Sequence, residues 1–354
     1  SFWIRERQRV VILLDRAEGT RSADYGARFV ERLVTLSYES LARKCQPLPR
    51  NTKWVLRQIF DNTRRTVVAI LEKHKGELSA QELVTGGLAR IEALNPTLNA
   101  VLVPQRASST KGTGPLTGVP FLAKDLLPYP GLRAAMGARL FDGHVPASHV
   151  PYTQAIEDAG LACVGKTTTS EFGLLGSGET LLEGVTRSPW GAQLSPGGSS
   201  AGSAVAVAAG LVPLAHASDG GGSIRLPASL NGLFGFKPSM DATKSAMSVP
   251  SRFGRLLSEH CLTRSVRDSA AFFELTAAAP FRVPAPRKLR VGVYTRDAFS
   301  NVATEENCAA VAHAVEVLGG LGHEVEEIAP PALNGELISR SFFRLAGFML
   351  TDLS

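Results

Sequence analysis

The chain has 354 residues, 44% of them hydrophobic and 20% charged, which supplies a sizeable core and excludes a disordered chain. Its net charge of +6 is uneven: residues 1–70 hold 14 Lys/Arg against 7 Asp/Glu, and the rest holds 24 against 25. The basic surplus is interleaved with apolar residues at helical spacing, which favours a solvated helix face over a nucleic-acid surface.

Taken in order, residues 2–76 read as three helices, with "DYGARFVERLVTLSYESLARKC" and "NTKWVLRQIFDNTRRTVVAILEKHKG" the clearest amphipathic runs. The longest early apolar run, "VVILL" (Val10–Leu14), is too short for a membrane span or a signal core. "SAQELVTGGLARIEALNP" opens with a capping box, Ser79 and Glu82, and is expected to stop before Pro96. Short strand-like and helical segments then alternate. "NAVLV", "VPFLAK", "LACVG", "LVPLAHA", "KLRVGVY" and "HEVEEI" read as strands. "YTQAIEDAG", "GSAVAVAAG", "SVRDSAAFFELTAAA" and "ATEENCAAVAHAVEVLGGLG" read as helices. This alternation points to an α/β sheet with helices on its faces. The three prolines of "APFRVPAPRK" (Ala279–Lys288) mark a surface connection, a joint between subdomains.

Cys45, Cys163, Cys261 and Cys308 are far apart and form no CxxC, so neither a disulfide framework nor a zinc pattern is present, and a reducing, cytoplasmic compartment fits. The seven histidines form no HxxxH, HExxH or HxH cluster, so no metal is expected. Two short motifs compete for attention. "GLACVGKT" (Gly160–Thr167) satisfies the phosphate-loop pattern, but the required strand–loop–helix context is wrong, because "LACV" is itself the strand. "GSSAG" (Gly198–Gly202) matches a nucleophile elbow and would make Ser200 the nucleophile of an α/β-hydrolase-like esterase. The strand that should precede it is missing, since "AQLSPG" is polar and contains Pro196. "DGGGSIR" is more suggestive: Gly220, Gly221 and Gly222 place bare backbone N–H groups just before the Ser223 hydroxyl, as an oxyanion hole requires.

A longer constellation joins these pieces. "RIEALNPTLNAVL", "GVPFLAKD", "VGKTTTSEFG", "TRSPW", the run "SPGGSSAGSAVAVAAGLVPLAHASDGGGSIRLPASLNGLFGFKPS" and "LTRSVRDSA" occur in this order and spacing. Together they resemble the amidase signature family, over roughly residues 66–330. The resemblance implies a mixed central β-sheet covered by helices on both faces. It implies Ser223 as the acyl-forming nucleophile, Ser199 as a proton relay after a cis Gly198–Ser199 peptide, and Lys124 as the base. The N–H groups of Gly220, Gly221, Gly222 and Ser223 would hold the oxyanion. Asp219 and Arg225 would form a largely buried ion pair under the loop, with Ser200 as a further support of the site. Burial is what would free Lys124 of its proton near neutral pH. Small departures are visible: Ala201-Gly202 stands where the family commonly has Gly-Gly, Ser218 where it has Thr, and Gly220 where a larger residue is frequent.

The resemblance fades in residues 1–62, so we read 1–62 as a basic helical segment added to an amidase domain in 63–354 that is shortened at its C-terminal end. The expected activity is hydrolysis of a small or oligomeric carboxamide, in the branch near 6-aminohexanoate cyclic-dimer hydrolase, without cofactor or metal. The expected partner is a small-molecule amide, with a homodimer as the assembly to consider and neither membrane nor nucleic acid involved. The alternatives are a non-catalytic or truncated protein of this fold and the A-type chain of a glutamyl-tRNA(Gln) amidotransferase.

Overall fold

The computed structural model describes residues 79–102, 116–247, 256–280 and 287–352. The helices expected in 2–76, and Cys45, lie outside the described residues. The chain divides into a unit ending at Pro280 and a second beginning at Phe281, a boundary inside the proline-rich Ala279–Lys288 connection.

The first described element, α1 (Ala80–Leu98), carries the expected capping box: the Glu82 N–H donates to Ser79 Oγ and the Ser79 N–H donates to the Glu82 carboxylate at 3.0 Å. The expected stop before Pro96 is wrong, because the helix runs on to Leu98 with Pro96 in its last turn. Asn95 anchors that end. Its side chain accepts the N–H groups of Ala100 (2.9 Å) and Val101 (2.8 Å) and donates to the Val101 carbonyl, which ties the helix end to the next strand. Asn99, at φ 49°, then ends the helix in the left-handed conformation.

The central sheet has six strands: β1 (Val101–Leu102), β2 (Pro120–Lys124), β3 (Ala162–Thr167), β6 (Leu214–Asp219), β7 (Phe234–Gly235) and β8 (Ser258–Thr263). Their order is β1-β3-β2-β6-β8-β7. β2 runs parallel to β3 and β6, whereas β1, β8 and β7 join antiparallel. A separate hairpin pairs β4 (Glu179–Thr180) with β5 (Gly184–Val185). β8, "SEHCLT", does not read as a strand in the sequence because its polar residues hide the pattern, yet all but Glu259 are buried.

Alternation along the strands sends side chains to two cores. Leu122, Val164, Ala215, Ala217 and Leu262 meet Ile91 of α1, Ala204 and Val205 of α3 (Ala201–Ala208) and Ala228 of α4 (Arg225–Asn231). Phe121, Ala123, Cys163, Leu214 and Cys261 meet Tyr152 and Ile156 of α2 (Pro151–Asp158) and Phe272 of α5 (Val266–Thr276). Helices thus cover both faces of a mixed sheet, as expected. In the second unit, β9 (Arg290–Val293) pairs in parallel with β10 (Glu324–Glu327), accompanied by α6 (Glu305–Gly320) and α7 (Gly335–Asp352). Among the described residues, no helix is long and apolar enough to cross a membrane.

Helix α3 lies unusually close to its neighbours. A Cβ on Gly202 would fall 2.3 Å from the Ala100 carbonyl oxygen and 2.5 Å from the Thr168 nitrogen, both backbone atoms that cannot swing away. Gly86, in the middle of α1, has nothing within 4 Å of the same position. The two glycines should therefore respond oppositely to alanine. Gly202→Ala should lower unfolding stability by about 1–3 kcal/mol through overpacking, and Gly86→Ala should raise it by about 0.5–1 kcal/mol through helix propensity. Urea unfolding of the two variants reads both signs.

Candidate active site

Lys124 is the last residue of β2, a strand whose five residues are all buried between β3 and β6. Its alternation with Leu122 turns it toward the face that carries α3. The ammonium nitrogen donates to three hydroxyls: Ser199 Oγ at 2.7 Å, Ser200 Oγ at 2.9 Å and Ser218 Oγ at 3.1 Å. The side chain is 0% exposed. Burial pushes its pKa down to about 7, while the nearby charges of Glu259 and Asp219 oppose the fall.

The small-residue run before α3 explains how two serines reach one amine. The Gly198–Ser199 peptide is cis, as the resemblance implies. A Cβ on Gly198 would lie 2.3 Å from the Ser177 carbonyl oxygen, so only glycine fits there. Ser200 occupies the N-cap position of α3, but its hydroxyl does not cap the helix. It accepts from Lys124 and donates to the Ser218 carbonyl at 3.4 Å. Ser203, one turn on, bonds Thr167 Oγ1 at 2.7 Å and the His216 carbonyl at 2.6 Å.

The glycine loop springs from the end of β6, directly after Ser218. Asp219 organises it. Its carboxylate accepts the N–H groups of Gly222 (2.7 Å), Ile224 (3.2 Å) and Arg225 (3.4 Å), and the Arg225 guanidinium at 2.9 and 3.0 Å. Desolvation would raise the Asp219 pKa, but the Arg225 pair and the backbone donors outweigh it and hold the carboxyl below its ordinary value. The expectation of a largely buried ion pair needs correction: Asp219 is fully buried, but the Arg225 side chain is 56% exposed. Ser223, half-buried, follows Gly222 at the entry to α4. Of the four N–H groups expected to face an oxyanion, that of Gly222 is engaged by Asp219.

The competing motifs fare differently. In "GLACVGKT", residues 162–167 are strand β3, and Gly165 (φ 148°) is the extra residue of a β-bulge between Phe121/Cys163 and Ala123/Lys166 pairing. The bulge turns Lys166 inward. Its amine donates to the Leu127 carbonyl and lies 3.9 Å from Asp125 Oδ1. Burial lowers the Lys166 pKa to about 8 and raises that of Asp125. This is a buried pair, not a phosphate loop. For "GSSAG", no strand leads into Ser200, and the buried histidines among the described residues are taken elsewhere: His216 bonds Glu259 at 2.8 Å and His260 bonds Ser269 at 2.6 Å. Sequence reasoning missed Ser218 as the third hydroxyl on Lys124. Its one signal was its position immediately before Asp219.

Comparison with known proteins adds family to geometry. The Amidase family profile matches residues 82–342. The 6-aminohexanoate-cyclic-dimer hydrolase of Paenarthrobacter ureafaciens is 35% identical, over 76% of this chain and 59% of its own length. The A-type chain of the glutamyl-tRNA(Gln) amidotransferase of Deinococcus radiodurans is also 35% identical, over 73% and 58%. A solved structure of 6-aminohexanoate cyclic dimer hydrolase complexed with substrate superposes with a TM-score of 0.67 at 32% identity, covering 74% of this chain and 60% of that one. The chain therefore spans about three-fifths of the length of the relatives it matches. With one family profile spanning both units and the expected sheet beneath it, this chain belongs to the amidase family.

Proposed function

We propose that this chain carries the catalytic core of an amidase that cleaves a carboxamide C–N bond through an acyl-enzyme on Ser223. One observation carries the reading: a wholly buried lysine amine, with its pKa near neutral, hydrogen-bonded to the hydroxyl of Ser199. A lysine so placed is a base at neutral pH, which an exposed one is not.

In this mechanism Ser223 Oγ attacks the amide carbon. Its proton passes to Ser199, and the Ser199 proton passes to neutral Lys124. The carbonyl oxygen gains the negative charge and is held by N–H groups of Gly220, Gly221 and Ser223, since Gly222 is engaged by Asp219. The C–N bond then breaks as the relay returns a proton to the leaving nitrogen. Water attacks the ester with the same relay as base, and Ser223 is restored. Ser200, Asp219 and Arg225 support the site without touching the substrate. The likeness to a cyclic-dimer hydrolase supports a small or oligomeric amide, linear or cyclic, as substrate. The likeness to a glutamyl-tRNA(Gln) amidotransferase chain supports a second reading, in which this chain is the A-type chain of such an enzyme.

Three variants separate the serines. Ser223→Ala and Lys124→Met should each lower amide turnover by about 10⁴-fold or more. Ser200→Ala should retain labelling of Ser223 by a fluorophosphonate probe. Loss of labelling in Ser200→Ala together with its survival in Ser223→Ala would overturn the assignment in favour of an elbow at Ser200.

The pH dependence has a definite sign. The base form of Lys124 is the neutral amine, so kcat/KM should climb as pH rises through about 7 and level off above it. A rate that falls through the same range rules out Lys124 as the base.

A further inference from the structure

Two carboxylates act electrostatically on Lys124, those of Asp219 and Glu259. They differ in what they are paired with. Asp219 is matched by the Arg225 guanidinium and three backbone N–H groups, so its charge is largely answered locally. Glu259, on β8, sits opposite Ser218 of β6 in the antiparallel ladder, and Ser218 Oγ is one of the three acceptors of the Lys124 amine. The hydrogen-bond partner of the Glu259 carboxylate is His216 Nε2 at 2.8 Å.

His216 is 1% exposed and packed edge-on against the Tyr152 ring, 5.6 Å between centroids. Its other ring nitrogen, Nδ1, meets no partner among the described residues. An imidazolium would have to bury a second N–H there, which costs free energy with nothing gained. Burial accordingly lowers the His216 pKa despite the Glu259 carboxylate beside it. The imidazole is neutral and donates through Nε2. It orients Glu259 without cancelling its charge.

The hydroxyls on the lysine and the titratable groups around His216 add no further anion. Ser199, Ser200 and Ser218 are neutral hydroxyls. Asp125, one residue along, belongs with Lys166. Tyr152 is buried with its pKa raised far above neutral by desolvation, and His260 is held down to about 4 by burial, so both are uncharged at neutral pH.

We propose that Glu259, oriented by His216, is an electrostatic positioning residue for Lys124, the anion that sets how readily the buried lysine gives up its proton. The inference rests on the reading of Lys124 as the base. It ascribes to β8 a part in the chemistry although, among the described residues, no β8 side chain hydrogen-bonds Ser199 or Ser223.

The test uses the pH dependence of fluorophosphonate labelling, which needs no identified substrate. Glu259→Gln keeps the shape and removes the charge. Its acid limb should move down by about one pH unit, which reads as roughly tenfold faster labelling below the wild-type limb. Glu259→Asp keeps the charge and shortens the arm, and its limb should stay near that of the wild type. Should Glu259→Gln fail to fold, Glu259→Thr removes the same charge. An unmoved limb in a folded charge-removing variant overturns the proposal, as does a Glu259→Asp limb displaced as far as that of Glu259→Gln. Labelling that survives Ser223→Ala or Lys124→Met instead overturns the underlying reading, so the two failures are distinguishable.

Discussion

Everything in the site depends on one amine deprived of water. Taking a lysine ammonium fully out of solvent costs several kcal/mol even after relaxation. Three hydroxyl acceptors oppose that cost, each hydrogen bond to a charged donor being worth about 1.5–3 kcal/mol. Burial outweighs these bonds and the opposing charges of Glu259 and Asp219, and that balance leaves Lys124 with a pKa of about 7. The positive end of α3, whose N-cap is Ser200, pushes in the same direction as burial.

Such a balance holds only if α3 cannot slide, because Ser199 and Ser200 lead directly into its first turn. Its N-terminal half is fixed by the Gly202 approach to the Ala100 and Thr168 backbone and by the Ser203–Thr167 hydroxyl pair. Its C-terminal carbonyls are gripped by two arginines. Arg90 donates to Gly210 and Ala209, and Arg264 donates to Val207 and Ala208. Cations at a helix C-terminus complement the dipole. Partial desolvation lowers the pKa of both guanidiniums, and repulsion from Arg264 lowers that of Arg90 further. The arrangement tolerates this because the arginines cap carbonyls at the end of α3 and just past it, those of Val207, Ala208, Ala209 and Gly210.

The sequence made the site legible in parts that depend on residue type and chain order. The capping box at Ser79 and Glu82 could be read from spacing alone, and so could "PFLAK" as a buried strand. The joining of Lys124 to Ser199 could not be read from spacing, since 75 residues separate them; it came from the resemblance. What escaped was set by tertiary structure. Strict alternation would put Lys166 on the same face as Val164, and the bulge at Gly165 reverses it toward Asp125. Pro96 reads as a stop, yet the helix runs two residues past it, and the Asn95 side chain ties its end to the next strand. "SEHCLT" hides a core strand because Ser258, His260 and Thr263 are polar yet buried; Ser258 and His260 bond to Lys237 and Ser269.

The three glycines before Ser223 show why composition alone misassigns roles. "GGG" suggests three equivalent donors around an oxyanion. In the fold they are unequal. Gly222 has φ 128°, a conformation that other residues rarely adopt, and its N–H is bound by Asp219. Its task is to shape the turn that presents Ser223. Arg225, screened by solvent on its exposed side, both answers the Asp219 charge and braces that carboxylate toward the backbone. A side chain at position 222 would act first on the loop's shape. A side chain at 220 would meet the Leu257 methyl at 2.9 Å, the far end of a flexible side chain, whereas at 222 the space is open and the φ of 128° is what excludes one.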